Sequence, residues 1–215
     1  MILYKFYTLL ELISPKRIAI GEATLPLPII SKISSARAIL NETAVIHLSY
    51  QSLLNFNMAR HSGLTAEQAA DRLAIRELFD AYAHCADTRN LEGQKSLFTE
   101  DTKFVIFMDG VGTNPSQELH GRESLTPIFE NLKSYDKTTH FNGQSTVILN
   151  GDTATGESYC LAHHLYQANG KRMIMIASLR YIDKFAKVDG EWMFAERYLY
   201  ADWIETRPST SITDS

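Results

Sequence analysis

The sequence predicts an α+β domain, with helices first, a run of long antiparallel strands after them, and the helices packed on one face of the sheet. Three observations predict it. From residue 64 to residue 87 apolar residues recur at three- and four-residue steps. From residue 139 onward four β-rich stretches follow one another at short spacing. The connectors between those stretches, "NGD", "QANGK" and "DG", carry the turn chemistry of tight hairpins.

The first helix opens at "TAEQ", a capping box in which the Thr65 hydroxyl accepts from the backbone N–H of Gln68 and the Gln68 side chain reaches back. Leu73, Arg76, Phe79 and Ala83, with Leu78, Tyr82 and Cys85, then define an amphipathic helix of about six turns through Asp87. A shorter helix follows over "LEGQKSLF". "TKFVIFMD" reads as a buried strand, and "GRESLTPIFENLK" as a further short helix with Gly121 and Glu123 at its start. The long strands fall at 139–149, 153–166, 172–187 and 191–203, because Asn-Gly and Asp-Gly between them supply the positive φ that primed turns require. No internal repeat and no low-complexity run interrupts this order.

A chain of 215 residues holds one domain with some excess. The excess lies in front. Residues 1–57 carry five basic against three acidic residues and lack sustained periodicity, so they read as an N-terminal extension: a targeting segment, a poorly ordered stretch or a mis-set start. A chain begun at Met58 is expected to keep fold and activity. The domain is expected over 64–206, with 207–215 as a tail. A net charge of -4 gives no electrostatic reason to expect nucleic acid or an anionic membrane as partner. No apolar run approaches the roughly 18 residues of a membrane helix, and the first apolar stretch is broken by Glu11 without a clean cleavage pattern. Cys85 and Cys160 stand in no ligand spacing, which excludes a zinc site or disulfide framework and fits a reducing, cytoplasmic location.

Two stretches carry more than fold. "IRELFDAYAHCADTRNLEGQKSLFTEDTKF", with a Tyr-x4-Asp helix end and an "LFTED" step into a strand, and "RYIDKFAKVDGEWMFAERY", a hairpin turning at "DG", resemble the SnoaL-like branch of the nuclear transport factor 2-like superfamily. The resemblance covers about residues 64–206. It implies a cone-shaped fold in which helices and a strongly curved sheet enclose one pocket for a small-molecule substrate, and a homodimer or homotrimer. Within the branch the pattern is most similar to cofactor-independent lyases such as bile-acid dehydratase, hexachlorocyclohexane dehydrochlorinase and scytalone dehydratase. Their Asp–His dyad is matched here by Asp87 and His140, their pocket tyrosine by Tyr82 and their pocket arginine by Arg197.

Those residue types suit an elimination, which requires a base for a C–H proton and a donor for the departing group. Imidazole titrates near neutral pH, so His140 is the expected base, and a carboxylate on its other nitrogen, Asp87, fixes its tautomer. Strand parity places Ser158, Cys160, Ala162 and His164 on one face of "SYCLAHHL", small enough to leave a cavity, with His164 rather than His163 facing it. Tyr82, His164 and Arg197 are expected to polarise the substrate or its leaving group. Phe104 is expected in the wall with Met108, Phe129, Met173, Met175 and Trp192. Taken alone, each residue keeps a plainer reading: Asp87 as a helix-end acid, His140 as a hydrogen-bonded strand residue, Tyr82 as core, and Arg197 in a salt bridge with Glu191 or Glu196. No cofactor or metal is expected, since "DGVGTN" lies in no βαβ unit. The function expected is a dehydratase-type elimination on a ring-containing apolar molecule. The alternatives are an isomerase or cyclase using the same dyad, or a non-catalytic subunit like the β subunit of ring-hydroxylating dioxygenases.

Overall fold

The computed structural model describes residues 63–110 and 114–210. The chain divides between Arg60 and His61, and the second unit is the one described. The extension expected over 1–57 lies outside the described residues.

Helix α1 spans Ala66–Thr88, and its capping box forms as the sequence requires: Gln68 N–H donates to Thr65 Oγ1 and Thr65 N–H to Gln68 Oε1, both at 3.1 Å. Its buried face is Ile75, Leu78, Phe79, Ala83, Cys85 and Ala86. Leu73, expected on that face, is exposed, because the stripe rotates past it. The helix stops one residue beyond Asp87, where Arg89 takes a left-handed conformation (φ 61°) and its N–H bonds back to the last carbonyls. Helix α2, Leu91–Ser96, follows at once, capped by the Asn90 side chain.

Strand β1 (Phe98–Phe107) leads to a short strand β2 (Gln117–His120), which the sequence reading did not anticipate. The segment expected as one helix over 121–133 forms a 3₁₀ turn (Arg122–Leu125), helix α3 (Thr126–Glu130) and a second 3₁₀ turn (Asn131–Ser134). Pro127 at the start of α3 explains the break, since it cannot continue the preceding hydrogen-bonded turn. Then come the long strands β3 (Lys137–Asn150), β4 (Thr153–Ala168), β5 (Lys171–Val188) and β6 (Glu191–Pro208). Asn169 and Asp189, at φ 50° and 51°, occupy the positive-φ positions of the last two turns.

The six strands form one mixed sheet in the order β2-β1-β6-β5-β4-β3. The hairpin strands are antiparallel throughout, while β1 joins β6 in parallel, pairing Phe104 with Arg197. Bulges between Asn142 and Ser145 in β3, and opposite Ser178–Leu179 and Lys184–Phe185 where β6 meets β5, add the local twist that curves such a sheet. Gly156 lets β3 and β4 approach closely, because a Cβ there would stand 2.6 Å from the Thr146 carbonyl oxygen. The helices cover one face. Ile75 and Phe79 of α1 and Phe129 of α3 pack with Phe98, Phe104, Phe185, Trp192 and Phe194 of the sheet. Each such side chain contributes about 1.5–3 kcal/mol by leaving water.

Candidate active site

The end of α1 and the start of β3 meet, and Asp87 and His140 meet with them. Asp87 Oδ1 lies 2.7 Å from His140 Nδ1, and Oδ2 accepts the backbone N–H of the same histidine at 2.9 Å. The Thr138 hydroxyl donates to Oδ1 at 2.9 Å. Arg89 in turn donates to Thr138 Oγ1 and to the Ala86 carbonyl, both at 2.6 Å, locking the helix end to the strand. An acid at a helix C-terminus faces the wrong end of the macrodipole. Here three donors offset that: burial disfavours the charged form of Asp87, yet the two bonds from His140 and the one from Thr138 hold its carboxyl below the ordinary carboxylate value. An ionised carboxylate only accepts, so Nδ1 of His140 must donate to it. The lone pair of the neutral ring then sits on Nε2.

His140 lines a cavity of about 560 Å³ between the helices and the sheet. Tyr82 of α1, Phe104 of β1 and His164 of β4 line it too. The cavity exists because the sheet face beneath it is built from small residues: His140 is registered with Ala162 and Ala177 across β3, β4 and β5, and both alanines are buried. Ser158 and Cys160 are buried on that same face, though neither lines the cavity. Burial pushes the Cys160 thiol up to about 12, which makes it inert. Met108 and Met175 belong to the cavity wall and Trp192 to the core, where its indole donates to Asp71 at 2.8 Å.

His164 stands beside His140, with ring centroids 5.4 Å apart, and 4.6 Å from the ring of Tyr135. Burial first, and then the charges of His140 and Arg89, bring its pKa down to about 4, so it is neutral at neutral pH. Its Nδ1 has no hydrogen-bond partner among the described residues. Tyr82 is kept protonated by burial, against the pull of Arg197, and presents a phenol to the cavity.

Arg197 does not line the cavity. It is almost fully buried and forms two bonds to Asp183, Nε to Oδ1 at 2.8 Å and Nη2 to Oδ2 at 2.9 Å, rather than pairing with Glu191 or Glu196. Its guanidinium lies over the rings of Phe194, Tyr181 and Tyr82 at 3.8, 4.2 and 4.4 Å. Burial opposes its charge, but Asp183 outweighs burial and holds it protonated. Tyr82 and Tyr181 both line the cavity that Arg197 does not reach.

Tyr135, Tyr181 and Gln94 also line the cavity, and the sequence reading gave none of them a role. Gln94 had a signal, since Leu91, Gln94 and Phe98 stand three and four residues apart and so share the apolar side of "LEGQKSLF". Among the described residues no group of three His, Cys, Asp or Glu side chains is arranged to hold a metal ion.

Residues 67–198 match the model of the SnoaL-like domain family. The chain belongs to that family. Its fold is that of the nuclear transport factor 2-like superfamily, and solved structures repeat it. A candidate scytalone dehydratase from Novosphingobium aromaticivorans is 23% identical, with 69% of this chain and 97% of that one covered at a TM-score of 0.56. An Asp-to-Asn variant of a Mycobacterium tuberculosis protein of unknown function is 27% identical, covering 72% and 81% at 0.53. A hexachlorocyclohexane dehydrochlorinase from Novosphingobium barchaimii is 17% identical, covering 67% and 94% at 0.53. No curated protein matches the chain. Among the described residues no helix is long and apolar enough to cross a membrane.

Proposed function

We propose that this SnoaL-like protein is a cofactor-independent lyase that removes water from a ring-containing, mostly apolar small molecule. The reading rests on one contact, the 2.7 Å bond between Asp87 Oδ1 and His140 Nδ1 at the edge of an open cavity. His140 Nε2 takes a proton from the carbon next to the leaving group. Asp87 holds the ring in the tautomer that leaves Nε2 basic and stabilises the imidazolium formed. The phenol of Tyr82 and the neutral ring of His164 polarise the substrate or its departing hydroxyl, which leaves as water with the proton that His140 took from carbon. Arg197 supports Tyr82 from behind.

A cavity backed by small residues supports an enzyme over a structural subunit, whose interior has no reason to stay open. The names of two structural neighbours, a dehydrochlorinase and a candidate dehydratase, denote eliminations and lend the same direction. Self-association as a homodimer or homotrimer belongs to the proposal.

The test is a screen of fused-ring β-hydroxy ketones for loss of water, read by the absorbance of the conjugated product. Removing a positioned base costs about 10²–10⁴-fold in rate. We expect His140→Ala to lower kcat/KM by that amount while the protein stays folded, with a melting temperature only modestly lowered by the lost bond to Asp87, and Asp87→Asn to lower kcat/KM in the same direction. Full activity in folded His140→Ala protein defeats the mechanism.

A further inference from the structure

Gln94 is a polar side chain that the elimination does not use. It sits on α2, is 2% exposed, and lines the cavity. Its backbone N–H bonds to the Asn90 carbonyl, and its amide, which is not sealed from the cavity, makes no side-chain hydrogen bond to another described residue. A buried primary amide offers two donors and two acceptor sites, and leaving them unmet costs on the order of 1–3 kcal/mol. Natural proteins rarely retain such a group inside without a partner. Phe104 and Ile106 from β1 and Ile128 and Phe129 from α3 give the cavity an apolar wall, beside the polar side chains of Tyr82, Ser116, Gln117 and Asn131. These apolar side chains cannot satisfy an amide, so water or a bound molecule in the cavity meets it.

We propose that Gln94 is a specificity-determining residue that binds a neutral oxygen of the substrate, a ring hydroxyl or carbonyl, separate from the group that His140 and Tyr82 act on. This deepens the lyase reading and takes its cavity as the binding site. The chemistry of the amide narrows the substrate class. Carbon-bound halogens are poor hydrogen-bond acceptors and do not donate. A carboxylate or phosphate calls for a cation, and the two buried cations closest to hand are taken: Arg197, stacked on the cavity tyrosines, is bonded twice by Asp183, and Lys95, beside Gln94 in the chain, pairs with Glu123. A hydroxyl or ketone meets the amide with donor to acceptor and no charge to bury. The substrate is therefore an oxygenated ring compound with at least two oxygen functions. Tyr82 and His164 meet one beside the carbon that His140 deprotonates, and Gln94 reaches the other from α2.

The experiment measures binding, not turnover, with ring pairs that differ by one oxygen: 9-fluorenone against fluorene and 1-tetralone against tetralin. Dissociation constants are taken by tryptophan fluorescence quenching or calorimetry on the full chain, as wild type, Gln94→Leu and His140→Ala. Wild type is expected to favour each ketone over its hydrocarbon, and Gln94→Leu to lose that preference by about tenfold, the size of one neutral hydrogen bond. His140→Ala is expected to keep the preference, so a failed elimination mechanism and a failed oxygen site give different results. Leucine also replaces an unbonded amide by an apolar group of similar size, so the free variant is expected to melt at or above the wild-type temperature. A lower melting temperature for Gln94→Leu, an unchanged ketone preference, or a wild type that binds neither ketone overturns the proposal.

Discussion

At His164 the sheet holds a histidine that cannot easily take a proton. Its ring is 7% exposed, and burial, followed by the charges of His140 and Arg89, lowers its pKa from 6.5 to about 4. In the unfolded chain the ring protonates as pH falls through 6.5; in the fold it resists until about 4. The unfolded state therefore binds more protons across that window, and stability falls as pH is lowered through it, by up to about 1.4 kcal/mol per unit. Below pH 4 that loss is complete. Asp87 acts in a different window: its depressed carboxyl stabilises the fold above its ordinary value of 3.8, and that contribution is lost only at lower pH, as the folded group titrates. Urea unfolding at pH 7.5 and pH 4.5 separates the two. Wild type is expected to lose about 2–3 kcal/mol from His164 between those values, while His164→Asn loses markedly less. Equal losses in both proteins count against a buried neutral histidine.

At the scale of elements, the β5–β6 hairpin is joined at its buried face by Asp183 and Arg197, which the register sets directly opposite each other. Both side chains are at most 1% exposed, so neither charge has water to fall back on. Breaking such a pair from one side costs about 3–5 kcal/mol, because the remaining charge is stranded. Asp183→Ala is expected to lower unfolding stability by that amount in denaturant melts, and Asp183→Asn to lower it less, since the amide still accepts. A loss under 1 kcal/mol in Asp183→Ala means the guanidinium has found another acceptor. Much of this hairpin was legible in the sequence: Asp189-Gly190 names the turn, and alternation names the faces. Its buried partner was not, because the choice among Asp183, Glu191 and Glu196 depends on how far each strand runs before the bulge at Phe194–Glu196 shifts the register. Strand β2 was illegible for another reason. "QELH" is short, polar and mostly exposed, and it forms only because β1 offers it an edge. The Asp87–His140 contact came from likeness to a family, since 53 positions separate the two residues and no local pattern joins them.

At the scale of the molecule, the sheet has two faces that differ row by row. The inner row through His140, Ala162 and Ala177 is small and leaves the cavity. The next row along, Phe141, Leu161, Ser178 and Trp203, is registered straight across β3, β4, β5 and β6 and points the other way. Phe141 is 67% exposed, Trp203 50% and Leu161 39%. Three large apolar side chains in one row are more than scattered surface residues, and we propose this stripe as the contact between copies. The same sheet face on two copies can meet about a two-fold axis, which fits the homodimer of the proposed self-association. Charges placed in the row are expected to abolish that association without touching the cavity, because odd and even positions on a strand face opposite sides. Leu161→Glu combined with Trp203→Glu should sediment as a monomer at concentrations where the wild type sediments as an oligomer. The double variant should also keep the wild-type ketone preference in binding. A wild type that sediments as a monomer at tens of micromolar, or a double variant that associates unchanged, removes this face as the contact between copies.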